Sequence, residues 1–218
     1  MTALAETGCY QSRRGKEQYL RFLPQSDTQV YFIEPFFEER NFLRRTLLEL
    51  ARALAQQGIG SFIPDLPGTG ESELALSDIY LSDWREAITD TSQWLSDAAG
   101  QPPHIAALRG GALLDDAAVG ASWWRYAPAA GMEILRPMRR ARLMTGEDAI
   151  LAGYAISPRM IAELEQASPQ VVAGPLHECR AQSKGAALWR RAEPGEDRDL
   201  VTALAGDLVQ WVHSCAPR

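Results

Sequence analysis

Short runs of apolar, β-prone residues alternate along this chain with longer segments in which apolar residues recur at helical spacing. Such alternation is typical of βαβ units, in which parallel strands form one sheet and right-handed crossovers place helices on both of its faces. The first predicted elements are a strand at 29–33, a helix at 39–57, a strand at 59–64, a helix at 82–98 and a strand at 104–108.

The second half of the chain continues the pattern less clearly. Further strands are predicted at 123–127, 149–156 and 186–191, followed by a closing amphipathic helix at 197–213. The segment Arg109-Gly110-Gly111 is predicted to form a tight turn that connects the third strand to a helix. A chain of 218 residues is long enough for one domain with a sizeable core, so we expect residues 1–218 to form a single domain.

Composition excludes several classes of protein. The hydrophobic fraction of 46% argues against disorder, and a net charge of -6 gives no support for nucleic-acid binding. No apolar run is long enough to span a membrane, and residues 1–18 lack the apolar core of a secretory signal, so we expect a cytoplasmic protein. The three cysteines and three histidines show no ligand spacing, so no metal ion or cofactor is predicted.

Ligands of open α/β sheets bind at the carboxyl ends of the strands, which here directs attention to three loops. The first loop, residues 34–41, places carboxylates at the start of a helix. These carboxylates are predicted either to stabilise the helix through its dipole or to help to shape a pocket. The second, residues 65–72, is a glycine turn that Asp65 can cap. It lacks the Gly-Lys-Ser/Thr of a phosphate loop, so a nucleotide site is not predicted.

The third loop is the most informative. Ala107-Leu108-Arg109-Gly110-Gly111 has the strand, tight turn and small flanking residues of a nucleophile elbow, which normally reads Gly-x-Ser-x-Gly. Arg109 occupies the position of the serine. Because arginine stays protonated in proteins, it cannot act as the nucleophile.

Taken together, these motifs resemble the α/β-hydrolase superfamily. They are Pro35-Phe36-Phe37-Glu38-Glu39-x-Asn41, Asp65-Leu66-Pro67-Gly68-x-Gly70-x-Ser72 and Leu108-Arg109-x-Gly111-Ala112-Leu113-Leu114. More narrowly, the chain resembles the second of two hydrolase families associated with exosortase A systems of Gram-negative bacteria, which also tends to carry arginine at the elbow. The resemblance implies a three-layer α/β-hydrolase-like fold with a mainly parallel sheet and little or no lid. It also implies an exopolysaccharide or protein-sorting context, with a homodimer or partner proteins of the same system as expected assemblies.

The chain is not predicted to hold a working Ser-His-acid triad. In this superfamily the histidine follows the last strand, and residues 188–197 contain none. His104 opens a strand, and His213 lies in the closing helix. His177, with Cys179 two residues later, is the remaining source of a base, but we expect these two side chains not to face each other. The predicted function is therefore binding or accessory, and the alternative is an esterase or acyl-transfer enzyme with unorthodox residues.

Arg109 is instead a candidate anion-binding residue. At a helix start, with Gly110 beside it, it could bind a carboxylate or phosphate of a saccharide or lipid precursor. The candidate pocket residues are Phe36, Phe37, Glu38, Glu39, Arg109 and Gly110. The competing and favoured interpretation is an internal ion pair between Arg109 and Glu38 or Glu39, because an unpaired buried arginine is costly.

Two other features suggest surfaces. Arg136, Arg139, Arg140 and Arg142 lie within seven residues, and the first three share a helical face. A solvated face is favoured over contact with anionic lipid or polymer. Trp123 and Trp124 are adjacent on a predicted strand, so one of them is expected to line the cleft or a subunit contact.

Overall fold

The computed structural model describes residues 5–23, 25–145 and 151–215, and in these ranges seven strands form one sheet. The strands are β1 (Ala5–Gln11), β2 (Lys16–Phe22), β3 (Gln29–Ile33), β4 (Gly60–Pro64), β5 (His104–Leu108), β6 (Ser122–Tyr126) and β7 (Leu176–Cys179). Their order is β1-β2-β4-β3-β5-β6-β7, parallel from β4 to β7 and antiparallel at the β1–β2 and β2–β4 pairs. The sheet is therefore mainly parallel, as predicted.

Helices cover both faces of this sheet. They are α1 (Phe37–Gln56), α2 (Leu81–Ala99), α3 (Gly131–Thr145), α4 (Pro158–Gln166) and α5 (Arg198–Cys215). The buried faces of α1 and α5 form one apolar cluster with the sheet, and those of α2, α3 and α4 form a second cluster. This gives the predicted three layers. In the described part of the segment between β6 and β7, α3 and α4 pack on each other and belong to the second cluster, so these two helices are part of the core and do not form a separate lid.

The prediction that one of the paired tryptophans lines a cleft or contact is wrong. Both side chains are buried, Trp123 in the α2 layer and Trp124 in the α1 layer. Successive residues of a strand point to opposite faces, and a sheet covered on both faces buries both of them. The indole N–H of Trp123 donates to the Asp115 carbonyl at 2.8 Å, so its burial leaves no polar group unpaired.

Two predicted strands are absent. Residues 149 and 150 lie outside the described residues, and beyond them Ala152 and Gly153 have positive φ, so Leu151 and Tyr154 are joined by a tight turn. In the segment 186–191, Leu188 is the one buried residue, and the chain forms a 3₁₀ turn over Leu188–Arg190. The last strand is β7, and the β1–β2 hairpin also was not predicted.

Among the described residues, none of the helices combines the length and apolar character needed to cross a membrane.

Candidate functional site

The turn after β5 holds Arg109 in a backbone conformation that few residues other than glycine adopt. Its φ is +52°, in the left-handed region. Phe37 and Ala127, which lie just beyond β3 and β6, also have positive φ, at +51° and +46°. Strained non-glycine residues of this kind concentrate at functional sites, because the surrounding structure must hold them in place. The carboxyl ends of three neighbouring strands therefore mark one candidate site.

Glycines let the turn pass close to its neighbours. A Cβ on Gly111 would lie 2.4 Å from the Ile33 carbonyl oxygen, and a Cβ on Gly110 would lie 2.5 Å from Ile134 Cδ1. The chain then continues as two 3₁₀ turns, Arg109–Leu113 and Asp115–Ala117, so the predicted helix after the elbow is absent as an α-helix. Residues 109–121 must return to the start of β6, and 3₁₀ turns cover more length per residue than an α-helix does.

The Arg109 side chain is buried and fully oriented by its neighbours. Its Nη2 donates to Glu39 Oε1 at 2.8 Å, its Nε donates to Glu39 Oε2 at 3.2 Å, and its Nη1 donates to the Ala127 carbonyl at 3.0 Å. The guanidinium also stacks 4.3 Å from the ring centroid of Trp189. The internal ion pair favoured by the sequence is therefore present, and its partner is Glu39.

The two glutamates of the first loop have different environments. Burial raises the pKa of Glu39 above its ordinary value, and the hydrogen bond and charge of Arg109 oppose that rise. Glu38 is exposed and faces Asn41 and the Tyr154 hydroxyl, each at 3.5 Å. Adjacent helix residues point in directions about 100° apart, so only one of the pair can reach Arg109.

A cleft of about 500 Å³ opens beside this ion pair. Its charged lining residues are Glu38, Glu39, Arg109, Glu133, Arg136, Arg140 and Arg190. Its apolar lining residues are Phe36, Phe37, Ile134, Pro137, Met138 and Trp189. Five of the six predicted pocket residues thus lie on one cleft, while Gly110 is buried against Ile134 and Phe36.

The sequence did not predict that α3 or the 3₁₀ turn after β7 would line this pocket. Arg136 and Arg140 were recognised as one helical face, but their position beside Arg109 depends on how α3 packs. Trp189 and Arg190 fall in a segment predicted as a strand, and the 3₁₀ turn instead brings them to the elbow. Within the basic cluster Arg139 pairs with Glu165 and does not line the cleft, and the side chain of Arg142 lies outside the described part of the chain.

Solved structures similar to this chain include α/β hydrolases. A soluble variant of monoglyceride lipase from Saccharomyces cerevisiae matches with a TM-score of 0.68 at 13% identity, over 100% of this chain and 98% of that one. A serine hydrolase without a lid from Xanthomonas campestris matches with a TM-score of 0.59 at 14% identity, over 98% and 96% of the two chains. A putative hydrolase from Agrobacterium vitis matches with a TM-score of 0.61 at 14% identity, over 96% and 99%.

The chain has the α/β-hydrolase fold. No family model matches it, and no curated protein matches its sequence. At these identities the likeness establishes the fold alone. In an α/β-hydrolase fold the nucleophile occupies the turn after the strand that is β5 here, and that turn carries Arg109.

The glycine turn after β4, residues 65–72, is stabilised by Asp65 as predicted. Asp65 Oδ2 accepts from the Glu71 backbone N–H at 3.2 Å, and Asp65 Oδ1 accepts from Arg40 Nη2 at 2.7 Å. Arg40 also donates to the buried Glu34. Asp65 and Arg40 thus tie the loop after β4 to the loop after β3, and neither of them lines the cleft of Arg109.

None of the three histidines lines the cleft. His104 Nδ1 lies 2.8 Å from Ser122 Oγ, but the two residues face each other at the amino ends of β5 and β6. The α/β-hydrolase fold keeps its catalytic groups at the opposite ends of the strands. His213 is exposed on α5. The His104–Ser122 hydrogen bond therefore joins two strands and lies at the wrong edge of the sheet for an elbow nucleophile.

The expectation that His177 and Cys179 do not face each other is wrong, because residues two apart on a strand share a face. Both lie on β7 and approach Asp207 of α5, with His177 Nε2 2.9 Å from Asp207 Oδ1. Asp207 also accepts from Trp124 Nε1 at 2.5 Å. Burial raises the pKa of the Cys179 thiol to about 11, so the thiol is protonated near neutral pH and is a weak nucleophile.

Proposed function

We propose that this chain is an α/β-hydrolase-fold protein that binds an anionic ligand in the cleft beside Arg109 and has no working Ser-His-acid triad. The observation that carries the proposal is the elbow: Arg109 occupies the nucleophile position and is held there by Glu39, Ala127 and Trp189. The described residues that line the cleft include no serine, cysteine or histidine. A nucleophile and its base are both required for triad chemistry.

The biological setting is part of the same proposal. The sequence resemblance favours an accessory protein of an exosortase or exopolysaccharide system in the bacterial cytoplasm, acting as a single domain alone, as a homodimer or with other proteins of that system. The ligand would be a carboxylate or phosphate of a saccharide or lipid precursor. Cationic side chains around a partly apolar cleft support that class of ligand.

Two measurements on the purified protein test this function. Turnover is measured on a panel of short and long acyl esters, and the melting temperature is followed while phosphorylated and carboxylated sugars and lipids are added. We expect no turnover, and stabilisation by about 2.7 kcal/mol when a ligand reaches ~100 times its Kd. Clear turnover that survives Arg109→Ala and disappears on changing another residue would contradict the proposal, as would the absence of any thermal shift.

A second candidate is an esterase or acyl-transfer enzyme with unorthodox residues. The observation that favours it is Glu39, a buried carboxyl in the cleft whose pKa is raised by burial, as the pKa of a general base often is. In that case the wild-type protein would hydrolyse an ester, and Glu39→Gln would abolish turnover while the melting transition persisted. Turnover that Glu39→Gln leaves unchanged would exclude this residue as the base.

A further inference from the structure

Arg109 has little capacity left for a ligand. Its Nε, Nη1 and Nη2 all donate to protein acceptors, and Glu39 balances its charge. The side chains of Arg109 and Glu39 are only 8% and 12% exposed. An anion that enters the cleft must therefore be recognised mainly by other cations, and the ion pair forms a closed, neutral end of the cleft.

Three exposed arginines surround the mouth of the cleft. Arg136 and Arg140 lie one turn apart on α3, and Arg190 comes from the 3₁₀ turn after β7. Among the described residues no carboxylate lies within ion-pair distance of Arg136 or Arg140, whereas Arg139 between them pairs with Glu165. Counting all the charged lining residues, four arginines face three glutamates, in a protein whose net charge is -6. The mouth is thus a local positive site on an acidic protein.

The floor of the same cleft is apolar. Phe36, Phe37, Ile134 and Met138 are each no more than 7% exposed. Pro137 and Trp189 extend this surface toward the arginines. A small, fully hydrated anion such as a sugar phosphate would satisfy the arginines and gain nothing from this floor. A hydrocarbon chain packed on this floor would itself be removed from water, and burial of apolar surface is the main source of affinity in such a cleft.

We infer that the ligand is an anionic amphiphile, with its phosphate or carboxylate head group on Arg136, Arg140 and Arg190 and its hydrocarbon chain on the floor formed by Phe36, Phe37, Ile134 and Met138. This inference rests on the proposed function, because it names the ligand class of the same cleft. The juxtaposition that carries it is that three exposed arginines, two of them with no acidic partner among the described residues, line the same cavity as four buried apolar side chains.

The test uses alkyl phosphates of increasing chain length, each below its micelle concentration, with inorganic phosphate and the matching alkyl alcohols as comparisons. Binding to the full chain is followed by calorimetry and by the total tryptophan fluorescence, to which Trp189, which lines the cleft, contributes. Affinity should rise about fourfold for each methylene that reaches the floor. The alcohols should bind at least tenfold more weakly than the alkyl phosphates of the same length.

Matched variants locate the site. Arg136→Gln combined with Arg140→Gln should weaken binding of octyl phosphate at least tenfold and leave octanol binding unchanged. Arg139→Gln, on the same helix but paired with Glu165, should change neither. A polar floor variant, Met138→Gln, should flatten the dependence on chain length.

The possible outcomes distinguish a wrong ligand class from a wrong proposed function. If inorganic phosphate and butyl phosphate bind as tightly as octyl phosphate, the amphiphile is excluded while an anion-binding cleft remains. Equal loss of binding in Arg139→Gln and in the double variant would exclude the mouth arginines. If no anion binds at all, both this inference and the binding half of the proposed function fail, and the ester panel alone decides the catalytic half.

Discussion

At the scale of single residues, Arg109 combines an unfavourable backbone conformation with a buried charge. A non-glycine residue at positive φ costs on the order of 1–3 kcal/mol, and an unpaired buried charge costs more. Both costs are tolerable only because Glu39, Ala127 and Trp189 fix the side chain. The need for a partner could be predicted from the sequence. Which glutamate supplies it could not, because α1 begins at Phe37, and that start sets the direction of each side chain.

Removing the arginine should therefore destabilise the protein strongly. Arg109→Met leaves Glu39 buried without its partner, and we expect a loss of about 3–5 kcal/mol in the free energy of unfolding, measured by urea denaturation. Arg109→Met combined with Glu39→Gln should lose less than Arg109→Met alone, since no charge is then left unpaired. Arg139→Gln, which breaks an exposed pair with Glu165, should cost under about 1 kcal/mol. Additive losses in the double variant would show that the ion pair is not the unit of stability.

The buried carboxyl of Glu17 should make the stability of the protein depend on pH. Its side chain is buried on β2, and burial raises the pKa of its carboxyl above the ordinary value of 4.5, with the Ser72 hydroxyl opposing that rise. The folded state therefore binds this proton more tightly than the unfolded state does. Stability is unaffected below pH 4.5, falls as the pH rises toward the folded-state pKa, and is level above it.

The neutral variant Glu17→Gln should escape that fall. Its free energy of unfolding, compared with that of the wild-type protein, should rise between pH 4.5 and the folded-state pKa of Glu17 and stay constant above it, in a series of urea denaturation curves. Glu193→Gln, at an exposed position, should follow the wild-type pH dependence. Parallel curves for Glu17→Gln and the wild-type protein would mean that the buried carboxyl does not titrate abnormally.

At the scale of elements, prediction succeeded where a strand is buried on both faces. β3 and β5 were predicted with their observed bounds, because every residue in each is buried and the four residues after the first form an apolar run. β1 is largely exposed and β7 alternates exposed and buried residues over only four positions, so neither carries an apolar run. Edge strands of this kind are held by pairing with a neighbour, and pairing cannot be read from a local pattern.

The 3₁₀ turn that follows β5 depends on Gly111. Gly111→Ala would place a Cβ 2.4 Å from the Ile33 carbonyl oxygen, which belongs to the rigid end of β3. We expect a loss of about 3 kcal/mol in the free energy of unfolding, because backbone cannot yield as a flexible side chain does. Gly206→Ala is the matched control, since Gly206 is exposed on α5 with open space around it. That change should stabilise the protein by up to about 1 kcal/mol. Similar effects at the two glycines would contradict the close approach.

At the scale of the whole molecule, the cleft joins parts of the chain that are distant in sequence. Its walls come from the start of α1, the elbow, α3 and the 3₁₀ turn after β7. The first two could be predicted, because both follow apolar strands whose carboxyl ends must meet at one edge of the sheet. The other two depend on the packing of α3 and on a turn with no regular pattern. Two of the four walls could therefore be predicted from the sequence, and none of the three mouth arginines was placed at the cleft.

The same sheet connects the two apolar layers, which leads to a prediction about cooperativity. Along β3, Val30 and Phe32 enter the α1 layer while Tyr31 and Ile33 enter the α2 layer, so neither layer can lose its packing without exposing the strands that support the other. We therefore expect one unfolding transition, as for a single domain. Far-ultraviolet circular dichroism and tryptophan fluorescence should give the same urea midpoint.

Side-chain truncations in each layer test whether the two layers unfold together. Leu47→Ala removes a buried side chain from the α1 layer, and Ile88→Ala removes one from the α2 layer. Each should cost about 2–5 kcal/mol. Because the layers share the sheet, each variant should shift both probes equally, although Trp124 lies in one layer and Trp84 and Trp123 lie in the other. A variant that moved the fluorescence midpoint but left the dichroism midpoint in place would show that the chain contains two separately unfolding units.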